Sequence, residues 1–257
     1  SGLENKAMMI HLNGIVLLIH IESGHCAKEK LMIKIHGVRL SPFVRKVHIV
    51  LAAKGIPFEA NEITPFELTD EYRQNFHPLG KIPCLEEDDF ILPDSSAICN
   101  YLEGIQPEPR LIPTEPKARA RTAWFEEYAD SEGARVFGGM FFFERWVKPL
   151  LLKQETNEEL VQTALEKDIP RIFNYLNRNL ENSPFLVGDS LTLADISLFT
   201  QVHNANLAGF LVDRGSWPVI VDYFKRISDQ EPVAKVLSEE VDFLKEMERQ
   251  AKEREAG

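Results

Sequence analysis

Cysteine is scarce in this chain. Only Cys26, Cys84 and Cys99 occur in 257 residues, with no CxxC and no Cys/His cluster. An odd, widely spaced set excludes a disulfide scaffold and a structural zinc site, and it fits a reducing, cytoplasmic setting. Long apolar runs are also missing. The longest, Ile15 to Ile21, is seven residues and includes His20, well short of the ~20 that cross a bilayer. A secretory leader is poorly supported: only Lys6 precedes that run, no small-x-small cleavage site follows, and His25 before Cys26 spoils a lipoprotein signal. Positive charge is in deficit, with 29 Lys plus Arg against 40 Asp plus Glu and a net charge of −11. Such a surface repels phosphate backbones, so no nucleic-acid partner is expected.

What is present is the composition of a folded, water-facing protein, 44% hydrophobic and 27% charged. The length allows one large domain or two ordinary ones. The first thirty residues read unlike the rest. The chain opens Ser-Gly, as after removal of a tag, so residues 1–31 are read as tag plus an upstream extension, with a native start at Met32.

From Met32 the pattern is regular. Met32 to Gly37 alternates apolar and polar and ends in glycine, which predicts a short strand. Ser41-Pro42 opens a helix carrying Val44, Val47, His48 and Leu51, and Gly55 with Pro57 stops it. Residues 57–63 read as a second strand, and 64–80 as loop plus a short helix. Two further strands, around Ile82–Glu86 and Phe90–Leu92, flank the acidic turn Glu87-Asp88-Asp89. Asp94-Ser95-Ser96 caps a helix that ends near Glu103. The order is βαβαββα.

Residues 105–117, with Pro107, Pro109, Pro113 and Pro116, form a linker. Residues 118–257 are read as all helix. They include an aromatic stretch (Tyr128, Phe137, Phe141, Phe142, Phe143, Trp146), a helix from Thr192 to about Phe210 and another from Trp217-Pro218. The tail from Glu239 is charged, with a thin Val241-Leu244-Met247 stripe and a fraying end. Thr192-x-x-Asp195 is a capping box with a structural role.

Four motifs in this order resemble the glutathione S-transferases. They are Leu40-Ser41-Pro42-Phe43-Val44-Arg45-Lys46-Val47, then Asn75-Phe76-His77-Pro78-Leu79-Gly80-Lys81-Ile82-Pro83-Cys84-Leu85, then Leu92-Pro93-Asp94-Ser95-Ser96, and last Gly188-Asp189-Ser190-Leu191-Thr192-Leu193-Ala194-Asp195 followed by Trp217-Pro218. The resemblance runs from about Met32 to Leu237 and is greatest to serine-type members, bacterial or tau/theta-like. It implies a thioredoxin-like glutathione-binding domain at 32–104, an all-helical domain at 118–257 that holds the electrophile, a cytoplasmic homodimer, and glutathione as substrate with no metal and no membrane partner.

Conjugation needs the thiolate of glutathione, and a free thiol has a pKa near ~8.5. A hydroxyl donor at the positive end of a helix stabilises that anion. By resemblance Ser41 is the catalytic serine; read alone, Ser41-Pro42 is a helix cap. Pro83 resembles the family's cis-proline, which turns the Ile82 backbone toward the cysteinyl part of glutathione. Asp94-Ser95 matches the acidic-Ser pair at the gamma-glutamyl end, with Asp94 where the family often has Glu; the same pair could serve only as a cap. Lys81 stands where related branches put a lysine near the glycyl carboxylate, and is equally readable as a solvated side chain. Tyr128, Arg135, Phe137 and Phe141 are the expected electrophile-pocket residues, against a reading of the aromatic set as core.

Other activities are set against this one. A thiol-disulfide oxidoreductase needs cysteine where Ser41 stands. A glutathione-dependent isomerase of the zeta type carries Ser-Ser-Cys there, unlike Leu40-Ser41-Pro42. A non-catalytic transferase-like interaction module would have a decayed site, whereas Ser41, Ile82-Pro83 and Asp94-Ser95 are intact.

Overall fold

Ile33 and Ile35 are shielded from solvent and Lys34 between them is not, the alternation that makes a half-buried strand. The computed structural model describes residues 7–12, 15–20 and 32–256. The readings of Lys6, His25 and Cys26 lie outside the described residues. The chain divides into two units, 1–31 and 32–257. In the first, β1 (Ala7–Leu12) pairs antiparallel with β2 (Ile15–His20), so the described part of the longest apolar run is a hairpin strand.

The second unit begins with β3 (Ile33–His36), α1 (Pro42–Lys54), β4 (Phe58–Asn61), α2 (Asp70–Asn75), β5 (Cys84–Glu87), β6 (Phe90–Pro93) and α3 (Ser95–Ile105). The sheet order is β4-β3-β5-β6, with β4 parallel to β3 and the other pairs antiparallel. That is the βαβαββα order read from the sequence. α1 starts with Pro42 at its first position and ends at Gly55, whose φ of 63° lets its N–H turn back to Ala52 O and Leu51 O.

Helices follow: α4 (Pro116–Tyr128), capped by Glu115; a wider-wound segment, Ala129–Leu152; α5 (Glu158–Thr163); α6 (Ile169–Leu180); α7 (Leu193–Leu207); α8 (Pro218–Ser228); and α9 (Glu231–Ala256). Between α3 and α4 the proline-rich stretch is pinned. Lys54 Nζ donates to Gln106 O (2.8 Å) and Pro109 O (3.1 Å), Glu103 accepts from the Leu111 and Ile112 amides, and Leu111 and Ile112 are buried. α7 starts with the expected capping box at Thr192 and Asp195.

One core joins sheet and helices. α1 lies at its centre, with Val44, Val47, Ile49 and Leu51 buried on several faces. Arg45 and Lys46 on the same helix are equally buried. Ammonium and guanidinium groups so enclosed require partners, and their counter-charges, Glu240, Glu126 and Asp130, come from the helical half. The charged tail is helical: α9 continues through Ala256, and Glu240 is buried while Val241 and Met247 are exposed.

Candidate functional site

The strand register puts three chain segments side by side. His36, the last residue of β3, pairs with Cys84, the first of β5, and Cys84 pairs with Pro93, the last of β6. The loop leaving β3, the loop entering β5 and the start of α3 therefore lie at one end of the sheet. These segments carry Ser41, Ile82-Pro83 and Asp94-Ser95.

Ser41 occupies the N-cap position of α1, yet its hydroxyl makes no capping hydrogen bond. The local turn is held by its backbone instead: the Ser41 N–H donates to Val38 O and its carbonyl accepts from the Arg45 N–H, each at 2.9 Å. The side chain is half-buried and free to donate at the positive end of the helix. This helix start is thus held without a side-chain cap from Ser41.

The Ile82–Pro83 peptide is cis. Among the described residues nothing bonds to the Ile82 N–H or carbonyl, which leaves both for a strand-like pairing with an extended ligand. Gly37 brings this turn against the Ser41 loop. A Cβ on Gly37 would stand 2.6 Å from Val44 Cγ2 and 3.0 Å from Ile82 Cβ, and its φ is 145°, so only glycine fits.

Asp94 caps α3 with one oxygen, Oδ1, accepting from the Ser96 N–H (2.9 Å) and the Ala97 N–H (3.1 Å). Its other oxygen remains open, and its φ of 78° is a conformation non-glycine residues seldom adopt. Ser95 beside it is buried. Lys81 is exposed and in no ion pair among the described residues. Its carbonyl accepts from the Tyr72 hydroxyl at 3.0 Å. Cys84 follows the cis-proline but is no competing nucleophile, because burial pushes its thiol up to about 12.

The electrophile-pocket set divides. Phe137 and Phe141 are core: Phe137 stacks on Phe173 with ring centres 5.6 Å apart, Phe141 meets Phe210 edge-on, and both are buried. Side chains so enclosed do not line an open pocket, which corrects the expectation for these two. Tyr128 packs on Trp124 and Tyr175. Arg135 is half-exposed and paired with Glu132 and Asp168 (2.7 Å).

Two buried clusters join the site to the helical half, and sequence reading found neither. Lys46 Nζ donates to Asp130 (2.5 Å), Glu126 (3.2 Å) and the Ser96 hydroxyl (3.2 Å). Burial lowers its pKa, but the neighbouring carboxylates Asp130 and Glu126 outweigh that effect and the net shift is upward, in favour of the charged ammonium. Arg45 pairs with Glu240 of α9 and reaches Asn204 of α7. The available signal was two charges, Arg45-Lys46, inside the otherwise apolar run of α1.

A four-stranded mixed sheet with a cis-proline loop, followed by a helical bundle, is the architecture of glutathione transferases. Profiles of the glutathione S-transferase N-terminal and C-terminal domains match residues 35–110 and 142–240. A glutathione S-transferase of Pseudomonas putida is 31% identical over 182 residues, covering 69% of this chain and 77% of the relative. A maleylacetoacetate isomerase of Mus musculus is 33% identical over 189 residues, 68% of this chain and 78% of that one. The crystal structure of a glutathione S-transferase from Rhodospirillum rubrum shares the fold with a TM-score of 0.73 at 24% identity, over 80% of this chain and 92% of the other. The chain belongs to the glutathione S-transferase family and is an enzyme of that family. Among the described residues no helix is long and apolar enough to cross a membrane.

Proposed function

We propose that Ser41 holds the sulfur of bound glutathione as thiolate for attack on a small hydrophobic electrophile. The observation that carries this reading is the Ser41 hydroxyl, uncommitted at the N-terminus of α1 beside the cis Ile82–Pro83 turn. The thiol proton leaves to solvent and the sulfur lone pair forms the C–S bond; in substitution the leaving group departs with its bonding pair, and in addition the π pair moves to the neighbouring atom and takes a proton from solvent. The Ile82 backbone pairs with the cysteinyl part of glutathione, Asp94 and Ser95 bind the gamma-glutamyl end, and Lys81 meets the glycyl carboxylate. Of the expected pocket residues, Tyr128 and Arg135 stay in the reading as contacts for the co-substrate. Residues 32–104 serve as the glutathione domain, 105–117 as linker and 118–257 as the co-substrate domain, in a cytoplasmic, detoxifying homodimer.

The test is Ser41→Ala. A hydrogen bond to an anion contributes roughly 1.5–3 kcal/mol, so turnover falls about 10- to 100-fold while glutathione affinity stays within about twofold. Equal conjugation rates for variant and parent across pH would remove the assignment. A second reading, glutathione-dependent isomerisation, is favoured by the similarity to maleylacetoacetate isomerases and uses the same thiolate, which adds to a double bond and leaves again. Turnover of a cis-unsaturated ketone without net loss of glutathione distinguishes it. Failure to bind immobilised glutathione, with no turnover, would leave an interaction module.

A further inference from the structure

The peptide bond between Leu40 and Ser41 is gripped from both sides. Its N–H, that of Ser41, donates to Val38 O at 2.9 Å. Its carbonyl, that of Leu40, accepts from Asn204 Nδ2 at 3.1 Å and has Arg45 Nη2 at 3.5 Å. Asn204 is oriented in turn, because its Oδ1 accepts from Arg45 Nη1 at 2.5 Å. Arg45 is fixed by Glu240, whose Oε2 accepts from Nε at 2.8 Å and also from Nη2. The other oxygen of Glu240 accepts from His203 Nε2 at 2.8 Å.

An unbroken run of hydrogen bonds therefore leads from α9, through α1 and α7, to the peptide that sets the direction of the Ser41 side chain. α9 holds the same loop at a second point: Arg39 lies over the Phe243 ring at 5.1 Å and donates to Glu239 O. Stability alone does not explain the cluster. A buried ion pair contributes little net stability compared with well-packed apolar residues of the same volume. What it supplies is direction, since a planar guanidinium fixes its acceptors in one plane.

We propose that Arg45, Asn204 and Glu240 are positioning residues for Ser41, which use the C-terminal helix to aim its hydroxyl at the glutathione sulfur. This rests on the assignment of Ser41 to thiolate stabilisation. A hydroxyl misplaced by about 1 Å loses much of its effect on a developing or resting anion, whereas the tripeptide contacts at Ile82, Asp94 and Ser95 do not pass through the cluster.

The experiment uses the full chain and a chloronitrobenzene electrophile, with conjugation followed across pH and thermal unfolding followed in parallel. In Glu240→Gln the apparent pKa of the bound thiol rises by about one unit, and kcat/KM at neutral pH falls about tenfold. The KM for glutathione stays within about twofold, and the difference from the parent closes at alkaline pH, where the thiol ionises unaided. Because Glu240→Gln leaves Arg45 without a counter-charge, the paired variant Arg45→Met/Glu240→Leu serves as the folded control, and the same rise in thiol pKa is expected of it. A folded variant with the parent's pH profile, or a loss that is uniform in pH and follows the folded fraction, overturns the positioning role. If Ser41→Ala is impaired while these variants are not, the positioning role alone fails. If Ser41→Ala also matches the parent, the thiolate assignment fails with it.

Discussion

The Tyr223 hydroxyl donates to Asp195 Oδ1 at 2.9 Å, tying α8 to the first turn of α7. The same carboxylate accepts from the Leu186 amide (2.8 Å), the Thr192 amide (2.8 Å) and the Thr192 hydroxyl (2.7 Å), and Asp195 is fully buried. It is therefore the junction of a loop, a helix start and a second helix. Asp195→Ala leaves several buried donors without an acceptor and is expected to cost about 3 kcal/mol or more, each orphaned group contributing ~1–3 kcal/mol. Tyr223→Phe removes a single bond and costs about 1 kcal/mol. Urea unfolding checks both; a loss below ~1 kcal/mol in Asp195→Ala would contradict the junction.

His48 on α1 is buried with its Nε2 unpartnered among the described residues, and its ring packs on Phe58. Burial, with Arg39 and Arg45 nearby, lowers its pKa to about 3. The unfolded chain protonates this imidazole below about 6.5 while the folded chain does not. Its contribution is thus intact above pH ~6.5 and is lost as pH falls toward 3, at roughly 1.4 kcal/mol per pH unit. His48→Phe removes the titration and the orphaned nitrogen. The variant's acid limb of stability is expected to be shallower than the parent's by about one proton, with equal or higher stability at neutral pH. Parallel limbs from pH-dependent calorimetry would overturn this.

Asp94 combines a cap with a backbone conformation that few residues accept. Asparagine keeps both, since its amide oxygen caps and it tolerates positive φ. Asp94→Asn is accordingly expected to hold its stability within about 1 kcal/mol. Since the charge proposed to pair with the gamma-glutamyl ammonium is removed, its glutathione affinity is expected to drop about tenfold. Asp94→Ala loses the cap and strains the turn, and costs a further ~1–3 kcal/mol of stability. Titration calorimetry with glutathione separates the two effects. Unchanged affinity in both variants would remove Asp94 from the binding site.

Most of the sheet half was legible because its signals are local. Alternation at Ile33–His36, Ser41-Pro42 before α1, Gly55 after it and Asp94 before α3 each act within a few residues of themselves. The burial of Glu240 in the tail was not legible, for the opposite reason. Local periodicity marks only the thin Val241-Leu244-Met247 stripe, yet it is Glu240 that is buried, because Arg45 and His203 await it across the fold. A pairing over 195 residues leaves no trace in the local pattern of either partner. The aromatic stretch failed similarly: Phe137 and Phe141 read alike as core or pocket until Phe173 and Phe210 close over them.

The β5–β6 hairpin turns through Asp88 and Asp89 alone, with Glu87 opposite Phe90 and Cys84 opposite Pro93. One residue inserted at that tip would slide β6 along β5 by ~3.3 Å and turn its faces over. Asp94 would then be carried away from Pro83. The hairpin thus acts as a spacer: its tip can change in chemistry, but its length meters the gap between Pro83 and Asp94.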